Sequence, residues 1–150
     1  MSEELYPTFD IPVEVEQEKE FNYRNYSCPL FDMEKGDFVF DSAGKINTAT
    51  EQEMFMQWCL KACHVMRFSK IAYSNSYGAE IDRALQEPTR AAKESYLQRT
   101  ITDAILADPY QRAINVTAFK FEWSEDSVEV TFEIIAVDDL GGIVSVKYAT

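Results

Sequence analysis

Histidine occurs once in the 150 residues, at His64, and glycine and proline occur only five times each. A nucleophile needs a base beside it, and a single histidine next to Cys63 on a helix would point away from that thiol. Five scattered glycines form no phosphate-cradling loop and no dinucleotide-binding pattern. Basic side chains are also scarce, 14 against 26 acids, for a formal charge of −12 and a pI near 4.4. A phosphate backbone is gripped by clustered Lys and Arg, so no nucleic acid partner is expected. No run approaches the roughly 18 apolar residues of a membrane-spanning helix. The acidic stretch Met1 to Asp10 lacks the basic start and apolar core of a secretory signal, so neither a leader nor membrane insertion is predicted. Three cysteines, Cys28, Cys59 and Cys63, are an odd number in a chain large enough to fold without staples, which predicts reduced thiols.

What is present is material for a core. Apolar residues make up 46% of the chain and aromatics 13%, enough for one domain. Charge is uneven: residues 1–53 hold thirteen acids and four bases, 54–118 six and eight, and 119–150 seven and two. A near-neutral middle lies between two acidic ends, which suggests that the ends face different surroundings from the middle.

Residues 1–27 read as an extended acidic arm, because Pro7 and Pro12 break helices and Glu14, Glu16, Glu18 and Glu20 alternate along it. Residues 28–150 read as a single α+β domain. It opens with a hairpin, Leu30 to Met33 and Phe38 to Phe40 around Gly36, with a second turn at Gly44. Both Thr48 to Glu51 and Thr50 to Glu53 fit a capping box, and the helix they start has an apolar stripe at Phe55, Trp58, Ala62, Val65 and Met66. A short helix, Glu80 to Gln86, stops before Pro88, and Thr89 caps a third that runs to about Ala107 on Leu97, Ile101, Ala104 and Ile105.

The last third changes to period 2. Val116 and Ala118 alternate first, then the phase shifts to Phe119, Phe121 and Trp123. Val128, Val130, Phe132, Ile134 and Ala136 alternate with Glu129, Thr131 and Glu133, and a reversal at Gly141-Gly142 leads to Ile143, Val144, Val146 and Tyr148. The expected fold is three helices packed on a C-terminal antiparallel meander with one wet face, preceded by the arm and hairpin.

Candidate chemistry is thin. Cys59 and Cys63 share a helix face and could join Cys28 and His64 on zinc, but the paired CxxC knuckles of such sites are missing, and small buried helix residues are the plainer reading. Glu80, Asp82 and Glu87 could be drawn as an acid pair, yet nothing in the spacing sets two of them at a catalytic separation; helix-end charges are the plainer reading. Trp58, Phe68, Tyr73 and Tyr77 gather near one loop and serve either as core or as an interface.

The order of elements nevertheless resembles a known family. Phe31 to Phe38 in the hairpin, Arg67-Phe68, the run Tyr73-Ser74-Asn75-Ser76-Tyr77-Gly78-Ala79-Glu80-Ile81 followed by Pro88, and Phe119 to Trp123 resemble the XkdS-like branch of the small baseplate wedge proteins of contractile tails. The resemblance covers roughly residues 30–137. The wider family often carries Glu-Pro-Arg; here Thr89 interrupts it, between Glu87-Pro88 and Arg90.

The resemblance implies a structural, non-catalytic protein without a cofactor, assembled in a bacterial host cytoplasm and carried in the particle's baseplate. The implied partners are other wedge proteins, the tail hub or tube initiator, and the sheath protein, with six copies per baseplate. Sheath subunits of such particles lock together by exchanging strands, so Val130, Phe132, Ile134, Val144 and Val146 are candidate partner-binding positions on the sheet. Tyr77, Glu80, Glu87, Pro88 and Arg90 are candidates around the interrupted motif, with Arg90 expected to pair with a carboxylate. The alternative is a small tail-associated peptidoglycan hydrolase.

Overall fold

Thr50 decides where the first helix begins. In the computed structural model, which describes residues 26–150, its hydroxyl accepts the N–H of Glu53 at 3.2 Å while the Glu53 carboxylate accepts the Thr50 N–H at 2.8 Å. This reciprocal box opens helix α1 (Glu51–His64); the other candidate threonine, Thr48, instead bridges to Pro29 in the preceding hairpin region. That region pairs strand β1 (Phe31–Asp32) with β2 (Asp37–Phe38) around Gly36, whose φ of +70° suits a residue without Cβ. All of the expected arm but Tyr26 and Ser27 lies outside the described residues.

The buried stripe of α1 is Phe55, Cys59, Ala62 and Cys63 rather than the stripe read through Trp58, Val65 and Met66. The two small thiols let the helix approach the sheet closely, while Trp58, one position round the helix, is left half-buried at the rim and Met66 lies exposed beyond the helix end. Short helix α2 (Ile81–Leu85) packs on α3 (Arg90–Leu106), which Thr89 caps by accepting the Ala92 N–H. Leu97, Ile101, Ala104 and Ile105 are fully buried along α3. No described helix is long and apolar enough to cross a membrane.

Three antiparallel strands follow in the order β3 (Ala113–Trp123), β4 (Ser127–Ala136), β5 (Gly142–Ala149). The β4–β5 register runs unbroken from Ser127↔Ala149 to Ile134↔Gly142. The β3–β4 ladder slips twice, between Ala113 and Asn115 and between Thr117 and Lys120. At the second slip Ala118 takes φ +55°, and the extra residue reverses the phase of the strand. Val116 faces the core before the bulge; after it Phe119 and Phe121 do, with Phe119 stacked on Phe132 at 5.3 Å between centroids. The phase shift in the sequence is this bulge.

Among the described residues, helices cover one face of the sheet, through α1 on β5 and α3 on β3. Val128, Val130, Phe132, Ile134, Val144, Val146 and Tyr148 are buried there. Glu129, Glu133, Ser145 and Lys147 stand on the open face, joined by Ile135 and by Ile143, which is 74% exposed. The reversal before β5 is not made by Gly141-Gly142 itself. Asp138 and Asp139 carry the positive φ angles, Gly142 already belongs to β5, and Gly141 presses against β4 so closely that a Cβ would lie 2.2 Å from the Ile134 carbonyl oxygen.

Among the described residues one ion pair is buried. Arg112 donates from Nε to Asp108 Oδ2 at 2.8 Å and from Nη2 to Oδ1 at 2.9 Å, and both side chains are nearly inaccessible. Asp108 also accepts the backbone N–H of Arg112, and the guanidinium lies 4.9 Å from the ring centres of both Phe55 and Tyr110. The pair ties the α3–β3 connection to the flank of α1.

Candidate functional site

A strand residue sends its N–H and C=O to the same side, and successive residues alternate. Ser124 donates to the Ser127 carbonyl at 2.8 Å, so Ser127 faces β3 and Val128 faces β5. Thr150 donates to the Asp126 carbonyl at 2.9 Å, so Tyr148, Val146 and Val144 face β4. The amides and carbonyls of Ile143, Ser145, Lys147 and Ala149 therefore point outward, along an edge of β5 that no other described strand pairs. On the open face beside them, Ser145 donates to Glu129 at 2.6 Å and accepts from Thr131 at 3.3 Å.

This geometry redistributes the sheet candidates. β4 is paired on both sides, and Val130, Phe132 and Ile134, 0–1% exposed, are turned into the core. Val144 and Val146 are likewise turned inward, on the strand that does carry a free edge. What β5 presents to a neighbour is backbone, together with Ile143 and the ammonium of Lys147.

The motif candidates fall into two groups. The Glu80 carboxylate accepts from the Tyr96 hydroxyl at 3.0 Å and pairs with Arg83 at 3.2 Å, while its N–H donates to Thr100 Oγ1 at 2.7 Å. The Tyr96 hydrogen bond, aided by Arg83, holds the Glu80 carboxyl below the usual carboxylate range. A general acid in glycoside hydrolysis needs the opposite shift. Arg90 pairs with Glu94 at 3.2 Å, one turn along its own helix, and lies over the Trp123 ring at 5.4 Å; Trp123 Nε1 donates to the same Glu94 carboxylate at 2.8 Å. Within this chain the carboxylate that Arg90 pairs with is Glu94. Half-buried Glu87 and exposed Pro88 lie in the bend between α2 and α3. Tyr77 is half-buried, with its ring 5.8 Å from Trp58 and 4.7 Å from Tyr73. Phe68 stays 68% exposed, away from that cluster.

Two further features were not legible as sites in the sequence. A groove of about 730 Å³ runs between the β1–β2 hairpin and α1, lined by Phe31, Phe38, Met54, Trp58 and Tyr110 and reaching Tyr26. A smaller hollow of about 290 Å³ lies beside the end of β5. The cysteines do not converge. Cys59 and Cys63 are in the core, where burial raises both thiols, Cys63 to about 12, while Cys28 accepts from Gln57 at 3.7 Å. Among the described residues no three His, Cys, Asp or Glu side chains cluster to hold a metal.

No curated protein matches the chain. A family model does, across residues 29–139, which takes in everything from the hairpin to the β4–β5 turn, and it describes the contractile injection system sheath initiators. A match over well more than half of the chain makes this protein a member of the contractile injection system sheath initiator family.

Proposed function

We propose that this chain starts sheath assembly by lending the free edge of β5 to a strand of the first sheath ring, and that it does so from a seat in the baseplate wedge. The observation that carries the reading is the row of outward amides at Ile143, Ser145, Lys147 and Ala149 on a strand whose other side is fully paired. An added strand satisfies such a row with main-chain hydrogen bonds, which supply most of the affinity in this mode of recognition. The wedge seat, the XkdS-like branch, contacts to other wedge proteins and to the hub or tube initiator, and six copies per baseplate rest on the sequence resemblance. Assembly in a bacterial host cytoplasm rests on it too. A sheath initiator needs no chemistry of its own, and the depressed Glu80 carboxyl gives the hydrolase alternative no support.

Two proline substitutions test the edge. Ser145→Pro removes an outward amide and leaves the β4–β5 ladder intact; Val144→Pro removes a donor inside that ladder and unfolds the strand. With purified sheath protein of the same particle, the Ser145→Pro chain is expected to fold but to lose sheath seeding in a sedimentation assay. Normal seeding by that variant refutes the edge as the docking surface.

A further inference from the structure

We infer that the hollow beside β5 is a specificity pocket that takes one aliphatic side chain of the docked strand, next to an acidic residue that meets Lys147. The inference rests on the edge reading above and names what the strand must carry.

The hollow, about 290 Å³, is lined by His64 and Met66 at the end of α1, by Ile81, Asp82 and Leu85 of α2, and by Lys147, Tyr148 and Ala149 of β5. No residue of β4 or β3 lines it. It therefore lies on the side of β5 that an incoming strand would occupy. Its floor is apolar: Ile81 and Leu85 are half-buried against the core and Tyr148 is 7% exposed, its hydroxyl donating to the Cys63 carbonyl at 3.1 Å. Its polar members, His64, Asp82 and Lys147, are exposed and form the rim.

The register does the rest. Lys147 and Ala149 send their amides outward and flank Tyr148, which points to the core face. A strand bonded to these two amides places the residue between them beside Tyr148, pointing to that same face, and so into the hollow. The adjacent residue of the strand points to the open face, next to Lys147. Among the described residues that ammonium has no ion pair, although Glu129 lies directly across the ladder, because the Glu129 carboxylate accepts from Ser145 instead. A cross-strand carboxylate from the partner fits there, and the pocket for the alternate residue supplies selectivity. An acid beside an aliphatic residue is thus the pattern this edge reads.

The test uses the full chain and the sheath protein of the same particle. Met66→Trp fills the hollow from its exposed side and Lys147→Gln removes the charge without setting a second carboxylate opposite Glu129. Each is expected to keep the parent's melting temperature and to weaken seeding, Met66→Trp by roughly tenfold or more because one buried aliphatic group is forfeited. A benzophenone side chain placed at Asp82 is expected to crosslink to an aliphatic residue adjacent to Asp or Glu in a sheath strand. If Ser145→Pro abolishes seeding while both of these variants seed like the parent, the pocket is refuted and the edge stands. Crosslinking to a loop, a helix or a basic residue also refutes the pocket. If Ser145→Pro seeds normally, the edge falls and the pocket with it.

Discussion

Replacing Asp108 by Asn is the most informative perturbation of the domain itself. The Asp108–Arg112 pair is bidentate and its side chains are 0% and 3% exposed, so water does not solvate whichever charge is left behind. Stranding one member of such a pair costs about 3–5 kcal/mol. Asn keeps a carbonyl oxygen for the Arg112 backbone N–H, so the loss reports the charge rather than the turn. At about 3 °C per kcal/mol for a domain of this size, Asp108→Asn is expected to lower Tm by roughly 9–15 °C. Arg112→Met retains part of the apolar contact with Phe55 and Tyr110 and strands the carboxylate instead. The decisive quantity is the double variant. If each single change mainly exposes its partner's unpaired charge, the double loss falls short of the summed single losses by at least about 1.5 kcal/mol. Urea unfolding followed by Trp fluorescence measures all three, since Trp58 lies 5.9 Å from the guanidinium. Raised salt should not shrink the losses, because ions screen buried pairs poorly. Additive losses, or single losses below about 1 kcal/mol, would show that the pair is incidental to stability.

Two other outcomes follow from local geometry. Gly141→Ala forces a Cβ against the Ile134 carbonyl oxygen, 2.2 Å away, whereas Gly36→Ala meets nothing within 4 Å and only strains φ; Gly141→Ala is therefore expected to be clearly the more destabilising in thermal melts, by about 1–3 kcal/mol. Burial pushes Tyr77 and Cys63 both up to about 12 and moves Tyr148 upward as well, so the unfolded chain gives up these protons at lower pH than the native one. Their stabilisation is complete below the ordinary thiol and phenol values and is lost as pH climbs from about 9 toward 12. A urea midpoint that stays level over that range would contradict the burial of these groups.

The parts of the fold that the sequence disclosed are those encoded by local period and by caps. Thr89 with Leu97, Ile101, Ala104 and Ile105 marked α3 because helical spacing and an N-cap are properties of one segment. The alternation from Val128 to Ile134 marked a strand with one buried face, but alternation says nothing about neighbours, and only the structure shows that β4, which carries the candidates Val130, Phe132 and Ile134, is the centre of the sheet. The α1 stripe was misplaced for a related reason: Trp58 outweighs Cys59 in any apolar count, yet close helix–sheet packing favours the small thiol. Arg112 escaped notice because its partner, Asp108, lies across a turn, just past the helix that the sequence ends at about Ala107. An arginine entering an apolar strand four residues after such an aspartate was the available signal.

The two slips in β3 have a consequence for how copies of this chain relate to one another. An array that grows by strand pairing needs two straight borders on each unit, one to give and one to receive. Here the β3 border is broken by two slips, with Ala118 at φ +55°, while the β5 border runs in unbroken register. Bulges twist and interrupt a strand so that a second ladder does not form along it. Such a unit is valence one. Among the described strands only one border then runs straight, so pairing through them cannot extend into a fibre of this chain, and growth by the proposed edge runs in a single direction.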